Sequence, residues 1–537
     1  ITLNEKSTIK LSGATTFTSS NPISVKTVIM QGNGMALGSA TTDLTIAEVM
    51  TIDSPGIDTG GADFTINGPL TITSGGVNSS GGTLTFGAGS NGSSMTEFYT
   101  GFTLTNTDLV LNTDLAFNSI QLMGTSSIET NGNSLTPTFL TIGIQDEFDF
   151  TNFVTDNTNF TLEADSIITN TGNLQLNSIN LNGFELELNL NAENSLTSDY
   201  SNFGQQNSTN IGTLLAQGAD VTFKERVWIS RGKIKMEGGT LTLEKGGGLD
   251  DSGTGELDLT NSTLELKGPF KNDGGVLTTS ASTLRLKANT QFLLGNEVAF
   301  DTFEPNGWGL LLYNNQNTGN TKSLTLGTNQ STITIEPNEE SLTSGFVDWY
   351  HDDGPEYNTG THEIGIAAND TTLTVNGDLI LEDNATIKSS SGQVTLENLT
   401  LVNSIIDTYQ TNLTISDSVA MEDNSTINTY YANEVSIGNL ELEFGTIRLV
   451  GGSIDLGGGT VEEEGVLLLP NQSTVSLDND LIVSGFLGLA PNVSFDFGGN
   501  NIDVSGGRID VGGIRSLDNL ITDENTTLNV LGYLEAS

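Results

Sequence analysis

Apolar and polar residues alternate along this chain in short triplets, not at the i, i+3, i+4, i+7 spacing of an amphipathic helix. Leu44-Thr45-Ile46, Phe64-Thr65-Ile66, Leu84-Thr85-Phe86 and Val394-Thr395-Leu396 are examples. Such alternation predicts strands with one buried face, because successive side chains point to opposite sides of the pleat. In the C-terminal third the triplets fall into three interleaved columns. One begins at Leu373, Val394, Leu413, Val435, Ile454, Val475, Phe495 and Ile514. A second begins at Leu379, Leu399, Val419, Leu440, Val461, Leu481, Ile502 and Ile521, and a third at Ile387, Ile405, Ile427, Ile447, Leu467, Leu487, Ile509 and Leu528. Every step lies between 18 and 22 residues.

Three columns sharing one period predict an all-β fold, a single long parallel β-solenoid of about 20–21 residues and three short strands per coil. Each coil is then a triangle, and each column an internal ladder with strands about 4.8 Å apart. No coil buries its own interior, so stability comes from its neighbours. The period recurs earlier, at Leu44, Phe64, Leu84 and Phe102 and at Leu241, Leu264 and Leu284. Extended over the chain it predicts about 22 to 25 coils, a rod on the order of 110 Å long. It is lost between Glu297 and Ala368. Residues 1–296 therefore read as the N-terminal part of the solenoid, 297–368 as an aromatic-rich insertion or enlarged loops, and 369–537 as the regular C-terminal part.

Composition adds corners to this picture. The chain has 63 glycines and only 10 prolines, with much Asn, Ser and Thr, as many short strands joined by tight turns require. It has no cysteine, which excludes disulfides and cysteine-ligated zinc. Eighteen basic residues face 66 acidic ones, a net charge of −48 that repels nucleic acid and anionic lipid. No run of about 20 apolar residues is present to span a membrane. The opening ITLNEKSTIKL reads as strand, as the mature form of a processed protein would.

Triangular coils of this length, rich in Asn, Gly, Ser and Thr and seen for example in VTLENLTLVNSII (Val394 to Ile406), resemble the right-handed parallel β-helices of bacterial surface proteins, the filamentous-haemagglutinin-like adhesins and autotransporter passengers. The resemblance is architectural. It implies a secreted, extracellular or cell-surface protein with a structural or adhesive role and with surface glycans or other cell-surface ligands among its partners.

Several residues carry candidate chemistry. Column spacing places Glu441 and Glu462 side by side on successive coils, and two carboxylates so close call for a bridging cation such as calcium or for splayed, hydrated side chains. WYHDDGPEYNTGTHE (Trp349 to Glu363) holds both histidines of the chain, with Asp352, Asp353 and Glu356, and reads as a metal or sugar site or as a polar loop anchored by its aromatic residues. Lys224, Arg226, Arg231, Lys233 and Lys235 gather around Trp228, either as a contact surface for an acidic neighbour or as a strand that offsets local acidity. Sequons at Asn384, Asn398, Asn412, Asn424, Asn471, Asn492 and Asn525 offer glycan acceptors in a secreted glycoprotein.

SFDFGGNNIDVSGGRIDVGGI (Ser494 to Ile514) looks like a calcium-binding glycine–aspartate repeat. Yet Asp496, Asp503 and Asp510 each sit between apolar residues, seven apart, so one set of three makes one coil and the aspartates face three different sides. No cap helix is visible near Ile1 or Ser537, which predicts strand edges open to the next molecule and head-to-tail stacking into a filament or sheath. The sequence thus favours a non-enzymatic structural or adhesive protein requiring no cofactor. A secreted carbohydrate-binding or carbohydrate-cleaving β-helix, of the polysaccharide-lyase or tailspike kind, is the alternative.

Overall fold

The computed structural model describes the chain except at residues 1–5, 32–33, 39–41, 54–55, 93, 96–100, 146, 183, 191–193, 203–211, 230, 250–254, 273, 315–322, 329, 331, 337–363, 370, 470–472, 491–492, 512–519, 523–526 and 531–537. The chain is a parallel β-solenoid of about 21 turns, 66% strand and 1% helix. That is fewer turns than the period alone predicts, because some coils are long. Leu84 pairs with Leu109 and Leu324 with Leu373, steps well beyond the usual length.

Two compact units are present, Ile1–Leu241 with Thr254–Asp258, and Thr242–Gly253 with Leu259–Ser537. In the first, one ladder runs through Leu44, Phe64, Leu84 and Leu109. Phe102, expected to follow Leu84, lies in a different sheet, between Val77 and Ile120. The side chains of Phe86, Phe102 and Phe117 meet inside, with ring centroids 4.4 to 5.8 Å apart. Not all of the interior is apolar. Buried Thr59 and Thr107 both donate hydroxyl hydrogen bonds to Ser79, at 2.7 and 2.9 Å, so their polar groups are satisfied within a column.

In the second unit the first predicted column holds over two runs of register partners, and its last member, Ile514, lies outside the described residues. Leu373, Val394, Leu413 and Val435 are successive register partners, as are Ile454, Val475 and Phe495. The other two columns hold with local slips. Ile387 pairs with Ile406, not Ile405, and Ile406 with Ile427. Ile406 is fully buried, whereas Ile405 is 39% exposed. The second column passes from Leu440 to Gly459, then to Leu481, Ile502 and Leu520. The residue opposite Leu440 is a glycine for a steric reason: at its φ of +118° a Cβ would come within 2.1 Å of the Leu440 carbonyl oxygen.

In the described parts of the segment 297–368 strands join the ladders. Val298–Phe300 pairs with Ser323–Leu326, which pairs in turn with the start of Thr371–Leu381. Thr332–Ile335 pairs with the end of the same strand, and Leu310–Asn314 with Ile364–Asn369.

Several corners are built on asparagine. Asn106, Asn131, Asn182, Asn261, Asn306, Asn384 and Asn403 adopt φ of 48° to 70°, the left-handed region that Asn tolerates better than most residues. Corners also use carboxylates and carboxamides to hold the next coil. The backbone N–H of Asp63 donates to Asp43, that of Thr83 to Asp63, and that of Ser134 to Asp114, each donor 20 residues after its acceptor, at 2.7 to 3.2 Å. Glu185 donates likewise to Asp165, Thr240 to Asp220 and Asn501 to Asp480, at 2.6 to 2.8 Å. At Asp114 the backbone N–H and hydroxyl of Ser134 hold the carboxyl below its ordinary pKa, since both bonds favour the ionised form. A share of the acidic excess therefore ties coils together.

Candidate functional site

The second unit carries an acidic corner where strands Thr426–Leu456 and Gly459–Leu469 adjoin. Their register runs Leu440↔Gly459, Glu441↔Thr460, Leu442↔Val461 and then Phe444↔Glu464. Glu443 alone thus opposes both Glu462 and Glu463, a β-bulge that widens the corner. This changes the sequence expectation for Glu441 and Glu462. They are not register partners: Thr460 stands beside Glu441, and Ile482 beside Thr460. The two-residue slip from Val461 to Gly459 keeps every inward side chain inward, so alternation alone could not reveal it.

The bulge does bring the two residues to one place. An open depression of about 700 Å³ is lined by Glu441, Glu443, Phe444, Glu462, Glu463 and Glu464, with Asn439 and Thr460. Asn439 Nδ2 donates to Glu441 Oε1 at 3.4 Å. A second depression of about 690 Å³ shares Asn439, Gly459 and Thr460 with the first and adds Asp417, Asp478 and Asp480. Asp480 is already committed to the backbone and side-chain amides of Asn501, at 2.8 and 3.3 Å. The five glutamates are spread along a widened, solvated edge. Among the described residues, no group of three or more His, Cys, Asp or Glu side chains is placed to hold a metal ion. Asp352, Asp353, Glu356 and both histidines lie outside the described residues.

The glycine–aspartate stretch is one coil of the scaffold. Ser494–Asp496, Ile502–Asp503 and Arg508–Val511 join three separate ladders, through Val475, Leu481 and Leu487. Their carboxylates are occupied locally. Asp496 accepts the Gly498 N–H at 3.2 Å, Asp503 the N–H and hydroxyl of Ser505 at 3.0 and 2.5 Å, and Asp510 pairs with Arg508 at 2.8 Å.

The basic strand near Trp228 offsets acidity. Lys233 pairs with Glu256 at 2.5 Å and Lys235 with Glu237. The hydrogen bond to Glu237, with the charge of that carboxylate, holds the Lys235 ammonium above its usual pKa. Two of the sequon asparagines also serve the stack, Asn398 donating to Asp378 at 3.0 Å and Asn412 accepting the Glu434 N–H at 3.2 Å.

One surface feature had no periodic signal. Tyr409 and Tyr431 stand out from adjoining coils, 48% and 66% exposed, with ring centroids 5.6 Å apart in an edge-to-face pair. Tyr430, the register partner of Tyr409, lies under the Arg448 guanidinium, 5.5 Å from its ring centroid. A column rule finds inward residues, whereas Tyr409 ends its strand and Tyr431 sits at a left-handed bend within Thr426–Leu456.

Fold and surface together define a parallel β-solenoid scaffold. The chain matches no protein-family model, no curated protein and no solved structure. Among the described residues no helix is long and apolar enough to cross a membrane.

Proposed function

We propose that the chain is a non-enzymatic structural or adhesive scaffold displayed outside the cell. The observation that carries this reading is how the outward polar side chains are used: hydroxyls, carboxylates and carboxamides bind the adjacent coil. Ser476 donates to Asp455 at 2.8 Å and Ser418 to Asn398 at 2.8 Å, alongside the Asp-to-N–H corners. Such a surface is invested in rigidity and length. The architectural likeness to bacterial surface adhesins supports an extracellular setting. The net charge of −48 supports a partner that is neither nucleic acid nor an anionic membrane.

Association of copies belongs to the same reading. Each coil leaves its strand edges to be satisfied by a neighbouring coil, and a second copy can supply that neighbour head to tail. Cations, calcium included, act here as counter-ions that screen the acidic surface.

Electron microscopy and light scattering of the purified chain test this. Filaments or end-joined rods are expected, with no release of reducing ends from polysaccharides. Monodisperse single particles at every ionic strength would contradict the assembly. Polysaccharide cleavage lost in Asp352→Ala or Asp353→Ala would contradict the non-enzymatic reading.

A further inference from the structure

The tyrosine corner of the second unit is built at a cost that the fold does not require. Tyr431 has φ of +57°, left-handed backbone in which a bulky side chain is strained. The same corner one coil earlier places Gln410 at φ +52°, and most of the other non-glycine left-handed positions are Asn or Asp. An asparagine would serve the backbone at 431 better. The strain instead throws an aromatic ring outward, where it is 66% exposed and meets the exposed Tyr409 of the preceding coil.

The surroundings fix the chemistry of what this pair can take. Asp407 and Asn428 are register partners in the outward row beside the rings, and Gln410 follows Tyr409 at φ +52° on the exposed corner. Two aromatic rings are thus flanked within two or three residues by carboxylate and carboxamide groups. An interface with another protein needs roughly 800 Å² per partner around a dry apolar centre. Two rings with polar groups at their margins do not supply that. They suit a ligand whose own surface alternates an apolar face with hydroxyls. The chain's net charge of −48 disfavours an anionic polymer at this corner.

We infer that Tyr409 and Tyr431 form a stacking platform for a neutral saccharide, the apolar face of a pyranose ring lying on the exposed tyrosine and its hydroxyls meeting Asp407, Asn428 and Gln410. This rests on the adhesive reading and gives its ligand class.

Affinity electrophoresis of the full chain tests it, in native gels cast with dextran, soluble starch, galactomannan or xyloglucan, and with heparin as the anionic polymer. Retardation is expected in at least one neutral polymer and not in heparin. Tyr431→Asn is expected to weaken that binding by about tenfold or more, in line with the loss of one aromatic stacking contact. Thermal stability should be unchanged or higher, because Asn suits the left-handed corner. Absence of retardation in all four neutral polymers would overturn the inference, as would retardation that Tyr431→Asn and Tyr409→Asn leave intact. Retardation by heparin alone would overturn it too. Reducing-end assays and electron microscopy on the same samples separate the two proposals: cleavage would remove the non-enzymatic reading, whereas absence of binding by the unaltered chain with filaments intact would remove only the platform.

Discussion

Ile406→Asp is expected to unfold the coils around it, while Ile405→Asp, one residue away, is expected to change stability by no more than about 0.5 kcal/mol. Both residues are isoleucines in the same strand, Ile405–Tyr409. Ile406 is fully buried between Ile387 and Ile427, and Ile405 is 39% exposed beside Thr386 and Thr426. A carboxylate at 406 would lose the apolar burial of the side chain, about 1.5–3 kcal/mol, and would place an unpaired charge in a dry column at several kcal/mol more. In a repeat array that loss falls on the two adjoining interfaces, so the transition should split into local and distant parts. Hydrogen exchange of residues 385–440 reads it directly. Protection should collapse there in Ile406→Asp and persist in Ile405→Asp. The reverse order would show that the strand register is off by one.

Asn272→Leu is expected to stabilise the protein by about 1–3 kcal/mol. Asn272 is fully buried, with Leu249 and Leu294 as its register partners in adjoining coils. Among the described residues, neither its side-chain amide nitrogen nor its side-chain oxygen has a hydrogen-bond partner. A buried amide left unpaired carries its full desolvation cost, and a leucine of similar size would continue the column it interrupts. The increase should appear as a higher denaturant midpoint with an unchanged slope. A lower midpoint would mean that the carboxamide holds an internal water or a polar group that leucine cannot.

The period of the columns carried most of the fold. Leu373, Val394, Leu413 and Val435 were legible because each is the apolar centre of a polar–apolar alternation, and the pleat fixes which side faces inward. The slips occurred where alternation is blind. Gly459 presents no side chain to recognise, so periodicity assigns the apolar Val461 to the column and displaces Glu462 with it by two residues. Ile405 and Ile406 are equally apolar, and only the neighbouring coils decide between them. Phe102 follows Leu84 at nearly the right interval but belongs to another side of the triangle. The role of the corner aspartates was hidden for a different reason. Asp43, Asp63, Asp114 and Asp165 act on backbone N–H groups about 20 residues away, and a backbone donor leaves no mark in a side-chain pattern. The tyrosine pair was invisible to a rule that reads inward positions.

The stacked register itself is tested most directly by a distance between spin labels. Thr45, Thr65, Thr85, Val110 and Glu129 are successive register partners in the first unit. The chain has no cysteine, so Thr45→Cys with Glu129→Cys introduces the only two labelling sites. Four strand spacings of about 4.8 Å place these backbone positions about 19 Å apart. A narrow distance distribution centred near that value, allowing for the label arms, is the predicted result. A broad distribution, or one centred beyond about 35 Å, would contradict a solenoid with this coil order.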